Sequence, residues 1–367
     1  MTRRCRSRLR RSACVSFATT CRDKGGAGRY GRHMDDLRDV VRQLALGSGF
    51  SGVVRIERSG EVQVEQAYGL AHRGWRLPNA VDTRFAIASG TKGFTALTTL
   101  SLVADGTLSL QTTARSVLGA DLPLVDNAVT VEHLLGHRSG IGDYLDEEDW
   151  KADDYVLSVP VHLLDRAEDH LAVLGGFPQV HAPGDRFSYN NGAFVVLAVL
   201  AERSTGVPFH ELVDQRVCRP AGLVDTGLPR SDELPQRTAV GYLHQEGLRS
   251  NVLHLPVRGA GDGGISTTVA DMSRFWCAVT SGRVVPQQLW ELAVDPRPAD
   301  PDGHMRYGLG FWLHGTTSAV VLEGADAGIS FRSVYDPTSD TAWTVVSNTS
   351  AGAWPLVKAM YAELNPA

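Results

Sequence analysis

Lysine is the scarce residue of this chain. Of 36 basic side chains four are lysine (Lys24, Lys92, Lys151 and Lys358), so the other 32 are arginine. Cysteine is nearly as rare: there are five, and Cys5, Cys14 and Cys21 crowd into the N-terminal head. The remaining Cys218 and Cys277 belong to no C-x-x-C, which removes a zinc ribbon and a redox dithiol; both are expected as buried free thiols. The longest apolar run, Ala193 to Ala201, is too short to span a bilayer and reads as a buried helix, so no transmembrane segment is expected. No G-x-S-x-G occurs, and without it the nucleophile elbow of an α/β-hydrolase is missing.

A net excess of positive charge is confined to one end. Residues 1–33 carry ten Arg and Lys against the single acid Asp23, although the whole chain has a net charge of -5. The rest is therefore strongly acidic, which argues against nucleic acid as a partner of the folded part. The head lacks apolar periodicity and breaks into Gly25-Gly26-Ala27-Gly28. It is set outside the fold, either as an extension upstream of a start at Met34 or as a targeting peptide. The expected location is the cytoplasm, with secretion the alternative if residues 1–33 act as an export signal.

From Asp35 to Leu46 the pattern is a short amphipathic helix. The stretches Gly52–Glu57 and Glu61–Ala67 alternate about Arg58-Ser59-Gly60, an antiparallel hairpin signal. Phe94, Leu97, Leu100 and Val103 recur at helical spacing after Ser89, with Gly106 as the stop. Residues 130–206 read as mostly helical, broken by Gly-, Pro- and Asp-rich loops. Strand-like stretches return at Ala319–Leu322, Ile329–Tyr335 and Ala342–Ser347, before a last helix from about Ala353 to Glu363. Strands at both ends with helices between give an α+β class. An antiparallel sheet lobe, about 34–105 and 255–367, is flanked by helices, and a mostly helical lobe of about 106–254 is inserted in it. The cleft between the lobes is the default place for a site.

Two motifs carry chemistry. In Ser89-Gly90-Thr91-Lys92 the i, i+3 spacing puts the amine beside the hydroxyl on one helical face. A helix start also supplies N–H groups for a developing oxyanion. Composition alone predicts about 0.3 S-x-x-K pairs in this chain, so the match is stronger than its pattern. A chain that nearly always uses arginine keeps lysine here, and arginine cannot act as a base. The second motif, Tyr189-Asn190-Asn191, ends a Pro-Gly loop. Its tyrosine hydroxyl can relay a proton, and the Asn191 amide can bind a substrate carbonyl and the lysine.

The segment Phe85 to Ala96, with Ser89-Gly90-Thr91-Lys92 at its centre, resembles the nucleophile segment of class C β-lactamases, D,D-peptidases and their esterase relatives. Val131 to Gly140 resembles their HLLTHTSG segment, Pro183 to Asn191 their PGxxFxYSN loop, and Gly263-Gly264-Ile265-Ser266-Thr267 their GGLxST turn. These follow in family order over roughly residues 35–360. The resemblance implies the β-lactamase/transpeptidase-like fold, Ser89 as the acylated nucleophile, Lys92 as its base or base partner, and Tyr189 as the second acid/base.

The third motif departs from the pattern. Where relatives carry Lys-Thr-Gly or His-x-Gly, the equivalent triplet is Leu322-Glu323-Gly324, and the cation that anchors a β-lactam or peptide carboxylate is absent. Glu323 would repel that carboxylate, Gly324 would permit close approach of substrate, and the Ala325 N–H would join that of Ser89 in an oxyanion hole. Arg332 reads first as a surface or structural arginine, with a replacement for the missing charge as the alternative, and Asp326 could pair with it. The substrate expected is a small-molecule ester, amide or peptide. A carboxylesterase, or an amidase on a neutral or cationic acyl group, is preferred over a β-lactamase, D,D-peptidase or D-aminopeptidase; a catalytically idle binding homologue is the rival from another class. No cofactor and no metal are implied. Gly259 to Gly264 satisfies G-x-G-x-x-G but follows no βαβ strand, so it reads as a turn before a helix beginning near Val269. His133 and His137 are i, i+4 without the glutamate of H-E-x-x-H, so they read as helix-stabilising.

Overall fold

The computed structural model describes residues 27–145, 156–297 and 305–364. Helix α1 (Ala27–Ser48) starts earlier than its apolar pattern, so residues 27–33 join it rather than the head. Strands β1 (Gly52–Arg58) and β2 (Glu61–Tyr68) form the expected hairpin. Its turn residues Ser59 and Gly60 have φ of 50° and 80°, both left-handed, as a two-residue hairpin turn of the primed type requires. Three longer helices follow, α2 (Thr91–Ala104), α3 (Asn191–Thr205) and α4 (Val269–Thr280). The chain then returns to strands β3 (Met305–Tyr307), β4 (Trp312–His314), β5 (Val320–Asp326), β6 (Ile329–Asp336) and β7 (Thr341–Ser347), and ends in α5 (Trp354–Leu364).

The sheet has seven strands in the order β2-β1-β7-β6-β5-β4-β3, antiparallel throughout. N- and C-terminal segments meet where β1 pairs β7, with Gly52 opposite Ser347. The period-2 alternation of strands then sorts residues onto two faces. Val321, Val334, Val345 and Ile56 pack with Leu37, Val41, Leu356 and Met360 of α1 and α5. Leu322, Phe331 and Val346 face the other way, into the core built by α2, α3 and α4. The α+β class and the antiparallel sheet flanked by helices are thus as expected.

Central to that second core is α3, in which every residue from Asn191 to Glu202 is buried. A helix apolar on all sides can only be an interior one. Its valines cost at most about 0.7 kcal/mol each in helix propensity, whereas burying each returns about 1.5–3 kcal/mol, so burial decides. The Asn190 side chain accepts the Ala193 N–H at 2.6 Å to start it, and Gly206, at φ 70°, ends it.

Two expectations need correction. Apart from α3 and the continuous run Phe209–Ala221, whose middle (Asp214–Cys218) is π-helical, the described helices between residues 106 and 254 are of five residues or fewer, such as Ala114–Leu118 and Val131–Leu135, because Gly and Pro break the pattern. Cys218 is buried as expected, but Cys277 is exposed on α4, and both are free. Among the described residues no single helix is long and apolar enough to cross a membrane.

Candidate active site

The chain enters the site through Phe85–Ala86, paired antiparallel with Ser266–Thr267. The Ile87 N–H donates to the Ile265 carbonyl at 3.0 Å, and the Ile265 N–H donates to Thr91 Oγ1 at 3.1 Å. The GGIST segment is therefore the clamp of the nucleophile turn. Ser89 sits in a 3-10 turn, Ala88–Gly90, that runs directly into α2. Ala88 is held at φ 44°, a left-handed conformation that costs a non-glycine residue about 1–2 kcal/mol. Buried neighbours hold the strained turn and present Ser89 half-exposed at its tip.

One turn on, Lys92 is 2% exposed. Its Nζ lies 2.8 Å from Ser89 Oγ, 2.8 Å from Asn191 Oδ1 and 3.2 Å from the Asp262 carbonyl oxygen. The ring of Tyr189 lies below it, 4.9 Å from centroid to Nζ, with Phe194 at 5.8 Å. The structure thus gathers Ser89, Lys92, Tyr189 and Asn191 at one point.

The HLLGHRSG segment works through its last residues. His133 belongs to a five-residue helix, Val131–Leu135, and caps it with Thr130, whereas His137 lies beyond the helix end at φ 52°. The two histidines do not share a helix face, because Gly136 ends the helix between them. The wholly buried His137 ring packs on Tyr189 at 4.4 Å, and its Nδ1 accepts the Asn190 N–H at 3.1 Å. Burial first, and the Lys92 charge second, hold it far below the ordinary imidazole range, so it is neutral.

On the third wall, β5 corrects two assignments. Gly324 faces the nucleophile turn: a Cβ there would stand 2.0 Å from the Ile87 carbonyl oxygen and 2.9 Å from the Ser89 nitrogen. What it admits is the backbone that carries Ser89. Strand alternation turns the neighbouring Glu323 to the opposite face. There it pairs with Arg332, its cross-strand partner, whose guanidinium lies over Trp354 and Tyr361 of α5. Glu323 borders the cavity, but its carboxylate is engaged by Arg332, which is thereby a structural arginine and not a replacement cation. Ala325 is exposed at the cavity wall.

Sequence reasoning passed over three further residues. Asp143 accepts the N–H groups of Asn191 at 2.7 Å and Gly192 at 3.0 Å, at the start of α3. The Tyr144 hydroxyl donates to Asp262 Oδ2 at 2.5 Å. Asp262 lies in the glycine run read as a turn, and a turn it is: a Cβ at Gly261 would meet the Phe194 carbonyl oxygen at 1.9 Å, so the loop lies against α3. The helix near Val269 follows it as expected. The one available signal was an acidic residue inside a glycine run beside GGIST.

Ser89, Tyr189, Asn191, Asp262, Gly324 and Asp326 line one cavity of about 550 Å³. Its remaining wall includes Phe85, Leu157, Leu234, Val252 and Leu255, and among the described residues that line it there is no arginine or lysine. Asp326 shares the face of Gly324. Burial raises the Tyr144 hydroxyl well above the phenol range, and the charges of Asp262, Asp143 and Asp326 add to it, so these acids sit together. Among the described residues no His, Cys, Asp or Glu group is arranged to hold a metal ion.

The family model described as Beta-lactamase matches residues 37–365. The chain belongs to that family. Its relatives include an esterase, D-aminopeptidases and penicillin-binding proteins. Esterase EstB of Burkholderia gladioli is 37% identical over 52% of this chain, which spans about half (49%) of that protein. A D-aminopeptidase of Brucella anthropi is 28% identical over 76% of the chain and 52% of its own length. Among solved structures, a penicillin binding protein from Bacillus halodurans superposes with a TM-score of 0.82 at 34% identity, covering 88% of this chain and 99% of that one.

Proposed function

We propose that this Beta-lactamase-family chain is a serine hydrolase that works through an acyl-enzyme, a carboxylesterase whose acyl substrates carry no carboxylate. The observation that carries it is the buried Lys92 amine 2.8 Å from Ser89 Oγ. A serine hydroxyl is a weak nucleophile and needs a base within hydrogen-bond reach. Lys92 takes the Ser89 proton as Oγ bonds to the substrate carbonyl carbon, and the N–H groups of Ser89 and Ala325 receive the oxyanion. Tyr189 passes the proton to the leaving oxygen or nitrogen as the C–O or C–N bond breaks. Water then attacks the acyl-enzyme, and the same groups return the serine. The test is labelling by a fluorophosphonate probe. Wild type is expected to label and Ser89→Ala not to; no labelling of wild type, or equal labelling of both, favours the idle binding homologue.

A second reading, an amidase for acyl groups bearing a free amine, is favoured by Asp262 and Asp326, which put negative charge on a cavity whose described lining includes no arginine or lysine. The two readings share a charge rule. p-Nitrophenyl 6-aminohexanoate and hexanoate should both exceed the mono-p-nitrophenyl ester of adipate in kcat/KM. Asp262→Asn should raise the adipate ester about fivefold relative to hexanoate, since one partly solvated charge at several ångströms is worth about 1 kcal/mol. Preference of wild type for the adipate ester, or for nitrocefin, would overturn the exclusion of carboxylate substrates.

A further inference from the structure

The chemistry of a lysine base is stricter than its position. An ammonium has three N–H donors and no lone pair, whereas the neutral amine that can accept the serine proton has two donors and one lone pair. Its lone pair points at Ser89 Oγ when its two N–H bonds are engaged elsewhere, and Asn191 Oδ1 at 2.8 Å and the Asp262 carbonyl at 3.2 Å are placed to take them. Those two acceptors come from different parts of the chain, α3 and the glycine turn. Each is gripped by one of two consecutive residues. The Asp143 carboxylate accepts the Asn191 and Gly192 N–H groups at 2.7 and 3.0 Å, and the Tyr144 hydroxyl holds the Asp262 carboxylate at 2.5 Å. The same segment grips the motif once more: Asn190 Nδ2 donates to the Ile141 carbonyl at 2.9 Å.

We infer that Asp143 and Tyr144 are the positioning pair of the base: by fixing Asn191 and Asp262 they aim the Lys92 lone pair at Ser89. This rests on the proposed hydrolase reading and deepens it: Asp143 acts through Asn191, and Tyr144, at the cavity wall, acts through Asp262. A consequence is a pH dependence written into the brace. Burial pushes Asp143 up to about 6 against the pull of its N–H donors and of Lys92. The described charged or titratable groups around it are Lys92 from α2, Tyr144 from its own loop, and Asp262 and Asp326 beyond Tyr144. Both Asp143 oxygens accept N–H bonds, Oδ2 from Asn191 and Oδ1 from Gly192, Tyr144 and Leu145. A proton on either oxygen weakens what that oxygen holds, so activity falls as pH falls through about 6. Stability runs the other way. A carboxyl whose pKa is raised in the fold favours the folded state most when protonated, an advantage lost as pH rises through the folded value. The limb in activity is therefore not an unfolding limb.

The experiment is the pH profile of p-nitrophenyl hexanoate hydrolysis by wild type, Asp143→Asn and Tyr144→Phe, each also titrated with the fluorophosphonate probe. Wild type should show an acidic limb in kcat/KM near pH 6 with no matching loss of Tm. Asp143→Asn should lose about 10- to 100-fold in kcat with KM changed less than about threefold, and its limb near 6 should vanish. Tyr144→Phe, which keeps the helix brace and carries the test if Asp143→Asn does not fold, should lose about 3- to 10-fold in kcat alone. An unlabelled wild type fails the hydrolase reading itself. A labelled wild type with an Asp143→Asn variant of equal kcat, or one that keeps the limb, overturns the positioning role of Asp143, and an unchanged kcat in Tyr144→Phe overturns that of Tyr144.

Discussion

Lys92→Met should lower kcat for p-nitrophenyl hexanoate by about a thousandfold, in the range of a lost general base, and Lys92→Arg should not restore it. The pair of substitutions separates two roles a cation beside a nucleophile can have. If the amine served only as a positive charge for the oxyanion, arginine would keep much of the rate. If it is the base, arginine fails, because a guanidinium stays protonated. Methionine keeps the unbranched stem among Tyr189 and Phe194, and it relieves a side chain only 2% exposed of its polar end. It also leaves Asn191 Oδ1 and the Asp262 carbonyl without that donor, at about 1–3 kcal/mol if they are not rehydrated. The methionine variant is therefore expected to fold, with a Tm within a few degrees of wild type by circular dichroism. Retention of more than about a tenth of wild-type kcat in Lys92→Met would rule out the base assignment.

What the sequence made legible was what local spacing encodes. Ser89 and Lys92 are three residues apart, so one helical turn joins them whatever the rest of the chain does. Tyr189 and Asn191 follow a Pro-Gly loop and precede a wholly apolar run, which announces a helix start at a buried place. The hairpin at Ser59-Gly60 and the late strands were likewise written in period-2 alternation. The short strands β3 and β4 were not, because three residues carry no period.

The brace was invisible for a different reason. Asp143 and Tyr144 act on Asn191 and Asp262, 48 and 118 residues away in sequence. No local pattern reports such a contact, and Asp262 was hidden in a glycine run that matched a nucleotide motif. His133 and His137 show the opposite error: an i, i+4 spacing was read as a helix face, but Gly136 ends the helix between them. Glu323 shows that a strand position must be read with its face. The motif match put Glu323 in the middle of the third triplet, whereas alternation about Gly324 turns its side chain to Arg332 and α5.

Gly324 yields the second large effect, because the two possible reasons for a glycine there predict different kinetics. If it only made room for a substrate, alanine would raise KM and leave Tm alone. The structure gives another reason. An alanine Cβ would lie 2.0 Å from the Ile87 carbonyl oxygen, 2.9 Å from the Ser89 nitrogen and 3.0 Å from the Gly90 nitrogen. All three are backbone atoms, so no rotamer change relieves the overlap. The turn has no room to retreat, since Phe331 already fills the space beside Gly90, where a Cβ would stand 2.6 Å from its ring. Either the Ser89 turn or β5 must move by about an ångström, a misplacement that costs on the order of 10²-fold in rate. Overpacking of this kind costs about 1–3 kcal/mol in stability. Gly324→Ala should therefore lose about a hundredfold in kcat together with several degrees of Tm, with fluorophosphonate labelling slowed to match. The exposed Gly175, where a Cβ would meet the Leu171 carbonyl oxygen at 3.8 Å, is the control, and Gly175→Ala should change neither. A Gly324→Ala variant with wild-type Tm and kcat and a raised KM would return Gly324 to the substrate.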